Sequence, residues 1–405
     1  HKVVLECAAH CDRRAHAMIP ARVSVFSVAW FAMTGCLPDP PAYDPCSDDQ
    51  SQYYAVAPTG CDGHELQVLY SDERHLVANY WEPQPDGTAM LGGLSLSVPS
   101  RLVMDDTDLY WFNLSGVHRT SKDRSHQATL LEVPTNAAAA VGLSRDGAAL
   151  YVLTIGRSDD ANPGESALIG VPLPDRAGSE APQESLFLSD TAVRTILPVE
   201  DGFIFVDDSQ SLKRVSLVDT DVEVIVDGPI SSFTASTDLV YYLRSNDDAI
   251  RSLDLVSGEE QVLFEDAWLT HSQTQLITVG DGIAYYTCSS GYDSCEWNRV
   301  THAGEAETIA RNIAYGTLAS VADDQAFVAV AAMVNDEFSS GSPGLYSWSL
   351  SDHSRTKLAK PFAMVGGLVV DAQYVYVSET SSDTVELDDG GSEIVITERL
   401  LRVRR

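Results

Sequence analysis

The side chains with the most chemical reach in this sequence are its cysteines, histidines and clustered aspartates, and their spacing limits what they can do. Cys288 and Cys295 bracket the stretch CSSGYDSC, and Cys46 and Cys61 form a second pair far from it. Neither pair has C-x-x-C spacing, so two disulfides are expected rather than a metal knuckle, with metal ligation as the rival reading. A Cys288–Cys295 bridge would close a hairpin loop and add about 2–3 kcal/mol in the chain-entropy picture. A Cys46–Cys61 bridge would pin the N-terminal region to the rest. His64, His75, His118, His126, His271, His302 and His353 are scattered along the chain, and no H-E-x-x-H is present. Gly164-Glu165-Ser166-Ala167 is followed by Leu168, which rules out a G-x-S-x-G elbow there. No phosphate-cradling G-x-x-x-x-G-K-[ST] occurs. Asp105-Asp106-Thr107-Asp108, Asn246-Asp247-Asp248 and Asp388-Asp389-Gly390-Gly391 gather oxygen ligands, but none fits the calcium-binding loop. Their composition is that of turns. Spacing therefore singles out no catalytic residue, no metal ligand set and no cofactor, and scattered residues could meet only if the fold brings them to one place.

The elements that would have to do so repeat. Thr234–Asp266 reads as four short strands: Ser232–Ala235 leads in, Leu239-Val240-Tyr241-Tyr242 is β-branched and aromatic, Ala249–Leu255 alternates apolar and polar, and Gln261–Phe264 ends the unit. Tyr241 has counterparts at Tyr110, Tyr151, Ile204, Tyr285, Phe327 and Tyr376, at intervals of 41, 53, 37, 44, 42 and 49 residues. An aspartate precedes each: Asp108, Asp146, Asp201, Asp238, Asp281, Asp324 and Asp371. These are expected to bond backbone N–H groups in the turn before the anchor strand. A period in the forties with four strands per unit predicts an all-β fold, a single β-propeller of seven four-stranded blades over residues 66–405. The last unit lacks a fourth strand because Arg405 ends the sequence. A strand from the N-terminal side, His75–Trp81, is expected to supply it, which leaves no open edge there. Eight blades result if Leu66–Trp81 is a blade of its own.

Charge narrows the partners. There are 59 acidic against 26 basic residues, a net −33. Such a field repels nucleic-acid phosphates and anionic lipid surfaces. It favours solubility, tolerance of salt, or attraction of divalent cations or basic partners, in that order. A monomer that binds a protein or a saccharide is the expectation.

The N-terminal region reads in three parts. Residues 1–17 show no strand pattern and look like non-native upstream sequence, with Met18 as the start. Within 18–35, Arg22 precedes the apolar run Val23–Met33, too short to span a bilayer but suited to a secretion signal. Residues 36–65 begin with the Pro- and Asp-rich LPDPPAYDPCSDDQ, a solvated tether. Met33-Thr34-Gly35-Cys36 resembles a bacterial lipoprotein signal box, which implies cleavage before Cys36 and acylation of its thiol and amine. Met33 stands where such boxes usually have Leu. Plain export after Gly35 is the alternative. Loss of residues 1–35 would leave 22 basic against 57 acidic residues, −35, so the acidity belongs to the exported part.

Asp108-Leu109-Tyr110-Trp111 is similar to a YWTD-type propeller strand, and Ser144-Arg145-Asp146-Gly147-Ala148-Ala149-Leu150-Tyr151 resembles the S-x-D-G-x-x-L-Y strand of TolB-like repeats. The chain thus resembles myxobacterial-type lipoprotein propellers with degenerate repeats. That resemblance implies a cell-envelope protein, on the outer membrane or else periplasmic or secreted, that binds or scaffolds a protein or glycan. The alternative is a propeller enzyme (lactonase, lyase or glycan hydrolase) with its site in the central channel.

Overall fold

The computed structural model describes the chain from residue 60 onward, apart from residue 62, the stretch 78–101 and a set of connecting segments, of which 156–165, 174–183 and 331–343 are the longest. The chain divides into two compact units, His1–Ser47 and Asp48–Arg405, and the described residues all belong to the second. The upstream segment, the signal, Cys36, Cys46 and most of the tether lie outside them.

The fold is an all-β propeller. Among the described residues 28 strands form seven antiparallel four-stranded sheets. In chain order, β1 is Leu66–Val77 and the first sheet is β2 to β5: Leu102–Met104, Asp108–Asn113, Gly116–Ser121 and Gln127–Glu132. The second is β6 to β9: Ala138–Leu143, Ala149–Ile155, Ser166–Pro172 and Glu184–Ser189. The third is β10 to β13: Val193–Val199, Gly202–Asp207, Leu212–Ser216 and Val222–Val226. The fourth is β14 to β17: Ile230–Ala235, Leu239–Arg244, Ala249–Asp254 and Glu260–Glu265. The fifth is β18 to β21: Gln275–Val279, Gly282–Cys288, Cys295–Thr301 and Ala306–Ile313. The sixth is β22 to β25: Leu318–Ala322, Gln325–Val330, Gly344–Ser349 and Arg355–Ala359. The seventh combines β26 (Met364–Val370), β27 (Tyr374–Glu386) and β28 (Ser392–Arg404) with β1, in the order β1-β28-β27-β26.

The strands arise where the sequence alternates. The second strand of each sheet holds the anchor aromatic or aliphatic residue, and Tyr110, Ile204, Tyr241, Tyr285, Phe327 and Tyr376 are all buried. Asp201-Gly202 and Asp281-Gly282 show why glycine opens two of these strands: a Cβ would lie 1.9 Å from the Val215 carbonyl oxygen at Gly202 and 2.2 Å from that of Val300 at Gly282. Successive sheets meet face to face through apolar layers. Ile204, Val206 and Leu212 of the third pack on Phe233, Val240 and Tyr242 of the fourth. Tyr241 and Ile250 of the fourth pack on Ile283 and Tyr285 of the fifth. The first strands neighbour one another in series from β2 through β6, β10, β14, β18 and β22 to β26, and β26 in turn neighbours β2.

Three expectations change. The N-terminal strand was expected at His75–Trp81, but β1 runs over Leu66–Val77, pairing Leu66 with Val403 and Val77 with Glu393. Tyr80 and Trp81 make the later stretch look strand-like, yet it is the alternation from Leu66 that matches the β28 register. Leu66–Val77 is thus a strand of the seventh sheet rather than an eighth unit. The tether was drawn to residue 65, but Gly60 already bridges Ala359, and the Cys61 N–H donates to the Leu358 carbonyl at 2.9 Å.

Candidate functional site

Polar side chains concentrate where the seventh sheet meets the first. An apolar layer lies beneath: Leu69 of β1 and Tyr376 and Leu400 of the seventh sheet pack on Leu102, Leu109 and Trp111 of the first. Tyr70 meets Trp111 edge-on at 4.6 Å between ring centroids, with the buried His118 ring 5.0 Å from Trp111. Above this layer Arg402 joins three elements. Its Nε donates to Gln67 Oε1 of β1 at 2.8 Å, its Nη1 donates to the Lys122 carbonyl of the β4–β5 turn, and its guanidinium lies 4.8 Å from the Tyr374 ring centre. Lys122 Nζ reaches back across the seam to Asp371 Oδ2 at 3.2 Å.

Asp371 and Asp105 are the same device on either side of this seam. Asp371 Oδ1 accepts from the N–H of Gln373 and of Tyr374, and Oδ2 accepts the Tyr376 hydroxyl at 2.8 Å. Asp105 Oδ1 accepts from the N–H of Thr107 and of Asp108, and Oδ2 accepts the Tyr110 hydroxyl at 2.8 Å. Burial by itself raises both carboxyls, but the backbone donors and the tyrosine hydroxyls outweigh it and hold both below the ordinary 3.8. Burial first, and then the partner carboxylates, push the hydroxyls of Tyr110 and Tyr376 far above theirs. The turn role expected of Asp108 therefore belongs to Asp105. Asp108 itself is buried, ion-paired with Arg119, with His126 Nε2 3.3 Å from Oδ1.

Among the described residues, the histidine side chains have separate partners. His118 sits in the aromatic seam, His126 faces Asp108, His64 Nδ1 donates to the Arg404 carbonyl at 2.9 Å, and His302 meets the Tyr241 hydroxyl at 3.0 Å. His75 is placed in β1, while His271 and His353 lie outside the described residues. Cys288 and Cys295 stand directly opposite each other in the β19–β20 ladder, and Cys61 is buried. Of the aspartate-rich turns, Asp247 accepts from Arg251 Nε at 2.7 Å, and Asp388–Gly391 lies outside the described residues. Among the described residues, no group of three His, Cys, Asp or Glu side chains is placed to hold a metal ion.

The chemistry of the seam is retention. Lys122 faces Asp371 and Arg119 faces Asp108, while Asp105 is held by backbone N–H groups and the Tyr110 hydroxyl. Sequence reading missed Gln67, Tyr70, Lys122 and Arg402, whose contacts join residues up to 335 positions apart. The Asp-x-x-x-x-Tyr spacing of Asp105/Tyr110 and Asp371/Tyr376 was the available signal, and Asp146/Tyr151 repeats it.

No protein-family model matches the chain, and no curated protein matches it. Solved structures match in shape. An oligogalacturonate lyase from Vibrio parahaemolyticus is 10% identical, with 84% of this chain and 95% of that one covered and a TM-score of 0.51. The β-propeller domain of Cps50 (Swd1) from Myceliophteria_thermophila is 10% identical over 73% and 95% of the two chains, at 0.48. A chain of the S. cerevisiae complex of dbp5 bound to nup159, gle1, ip6 and adp is 12% identical over 83% and 95%, at 0.47. At such identities the likeness to the lyase is one of fold alone.

Proposed function

We propose that this chain is an exported, lipid-anchored binding or scaffold propeller whose partner is a protein or glycan of the cell envelope. In this reading the seven sheets are the blades of one ring, clasped by β1 on β28. Its support is the series of first-strand contacts that returns from β26 to β2. The observation that carries binding over catalysis is the make-up of those axial strands. β2, β6, β10, β14, β18, β22 and β26 contain no Asp, Glu, His, Cys or Lys, and Arg194 is their one ionisable residue. A channel walled this way offers apolar and hydroxyl contacts, not a general acid or base.

The anchor is Cys36, with the tether holding the ring off the membrane. Acylation at both its thiol and its amine would hold the chain firmly, where a single acyl chain would not. Disulfides Cys288–Cys295 and Cys46–Cys61 belong to the same reading. Directly opposite residues of an antiparallel pair have Cα atoms about 4.5–5.5 Å apart, within the span a disulfide bridges. The net charge of −33 speaks against nucleic acid, and the membrane is touched only through the lipid.

The test uses the full chain and its Cys36→Ser form. Intact mass of the mature protein is expected to show an acylated Cys36 N-terminus, lost in the variant together with membrane fractionation; a mature wild type without acyl mass overturns the anchor. Pull-down from envelope extract is expected to recover the same partner with both forms. Recovery of none with either overturns the binding reading.

A further inference from the structure

We infer that the outer edge of the third sheet, strand β13, receives an extended basic segment of a protein partner by strand addition. This deepens the binding reading above and rests on it.

Four of the five large apolar side chains exposed among the described residues fall on the rim of two neighbouring sheets: Val222 (44% exposed) and Val224 (52%) on β13, Val262 (45%) on β17, and Val256 (83%) in the β16–β17 turn. Val224 and Val262 occupy equivalent places, each next to a bulge in the fourth strand of its sheet, at Ile225 and Leu263, and opposite Lys213 and Arg251. β13 ends its sheet, so one row of its N–H and C=O groups points away from β12, and among the described residues no backbone bond meets that row. Such an edge is a template for another strand.

Proteins that must keep an edge empty put Lys or Pro on it. β13 reads VEVIV and has neither, its one charge being the exposed Glu223. β17 also lacks basic residues, but its Glu260 already meets Arg251 Nη1 at 3.0 Å. Around β13 the exposed charges are Asp221, Glu223 and Asp227, with Arg214 opposite Glu223 in register and Lys213 tied to Asp207. An incoming strand meets valines alternating with a carboxylate, so it should alternate apolar residues with Lys or Arg. A second copy is the poorer occupant, because each brings −33 to the contact.

The probe is a peptide of about twelve residues alternating Lys and Val, with a Glu/Val peptide as its control. Binding to the full chain is read by fluorescence anisotropy and hydrogen exchange. The inference expects the Lys/Val peptide to protect the amides of Val222–Val226. It expects Val224→Lys to weaken binding about tenfold or more. Ala128→Lys, the same charge change on the exposed edge β5, should leave affinity within about twofold. Equal loss in the two variants means diffuse attraction to an acidic protein and overturns the inference, as does absent protection at β13. Concentration-dependent dimerisation in light scattering that Val224→Lys abolishes also overturns it, with a second copy as the occupant. If the envelope partner is still captured by Val224→Lys, the edge assignment falls while the binding reading stands. If wild type captures none, it is the binding reading that falls.

Discussion

The seam between the seventh and first sheets and the seam between the third and fourth join sheets of the same design by different means. The third and fourth meet through Ile204, Val206, Leu212, Val226, Phe233, Val240 and Tyr242, an apolar layer. The seventh and first have such a layer too, but add Arg402, Lys122, Asp371, Gln67 and the ring cluster of Tyr70, Trp111 and His118. Consecutive sheets are joined by a short connection, so apolar contact suffices to keep them together. The seventh sheet takes its outer strand from the other end of the described chain, and no short link fixes where Leu66 must meet Val403. Directional hydrogen bonds supply that register, since a slip of one residue would turn every side chain to the wrong face. Non-directional burial cannot distinguish such a slip as sharply.

The comparison can be broken at either seam. Ile204→Ala removes a fully buried side chain from the apolar seam and is expected to lower stability by about 2–5 kcal/mol, in a single transition little affected by salt. Denaturant melts at low and high ionic strength would check it. Arg402→Ala should cost about 1.5–3 kcal/mol, because three bonds to Gln67 and the Lys122 carbonyl are lost together. Its mark is local: hydrogen exchange should rise in β1 before it rises in β15. Uniform acceleration would instead mean that the polar seam is no separate clasp.

Acid sharpens the contrast. Asp105 and Asp371 have folded pKa values below 3.8, so as pH falls the unfolded chain takes up their protons first. Their contribution is complete above about pH 4 and is lost on passing below the folded values. Asp371→Asn is expected to cost about 1–2 kcal/mol at pH 7 and progressively less in acid, followed by melting temperature against pH. Tyr110 and Tyr376 act at the other end. Their raised values mean that stability falls once pH passes 10, where unfolded tyrosines ionise. The smallest effect belongs to Lys122→Met, about 0–1 kcal/mol, because the Lys122–Asp371 pair is partly solvated; it should vanish in high salt.

Much of the architecture was legible. The anchor residues at Tyr110, Tyr241 and Tyr376 and the alternation of Ala249–Asp254 are local patterns set by the two-residue period of a strand, and they place the strands to within a few residues. β1 was placed late because Tyr80 and Trp81 carry strand propensity, while the choice of partner depends on register with residues more than 300 positions away. The polar seam was invisible for the same reason: Arg402 has no local signature that points to Gln67 or Lys122. Asp108 was misassigned because Asp105 and Asp108 both suit a turn, and only the folded hairpin shows which one the Thr107 N–H meets.

By itself the sequence determined that short alternating strands recur, that the chain is strongly acidic, and where its cysteines and anchor aromatics stand, because each depends on residue identity and near neighbours. The tertiary structure decided which strand completes the seventh sheet, which aspartate holds the turn and which is buried against Arg119, and which edge leaves valine in water. Those are matters of pairing and burial, and they exist only once distant segments have met.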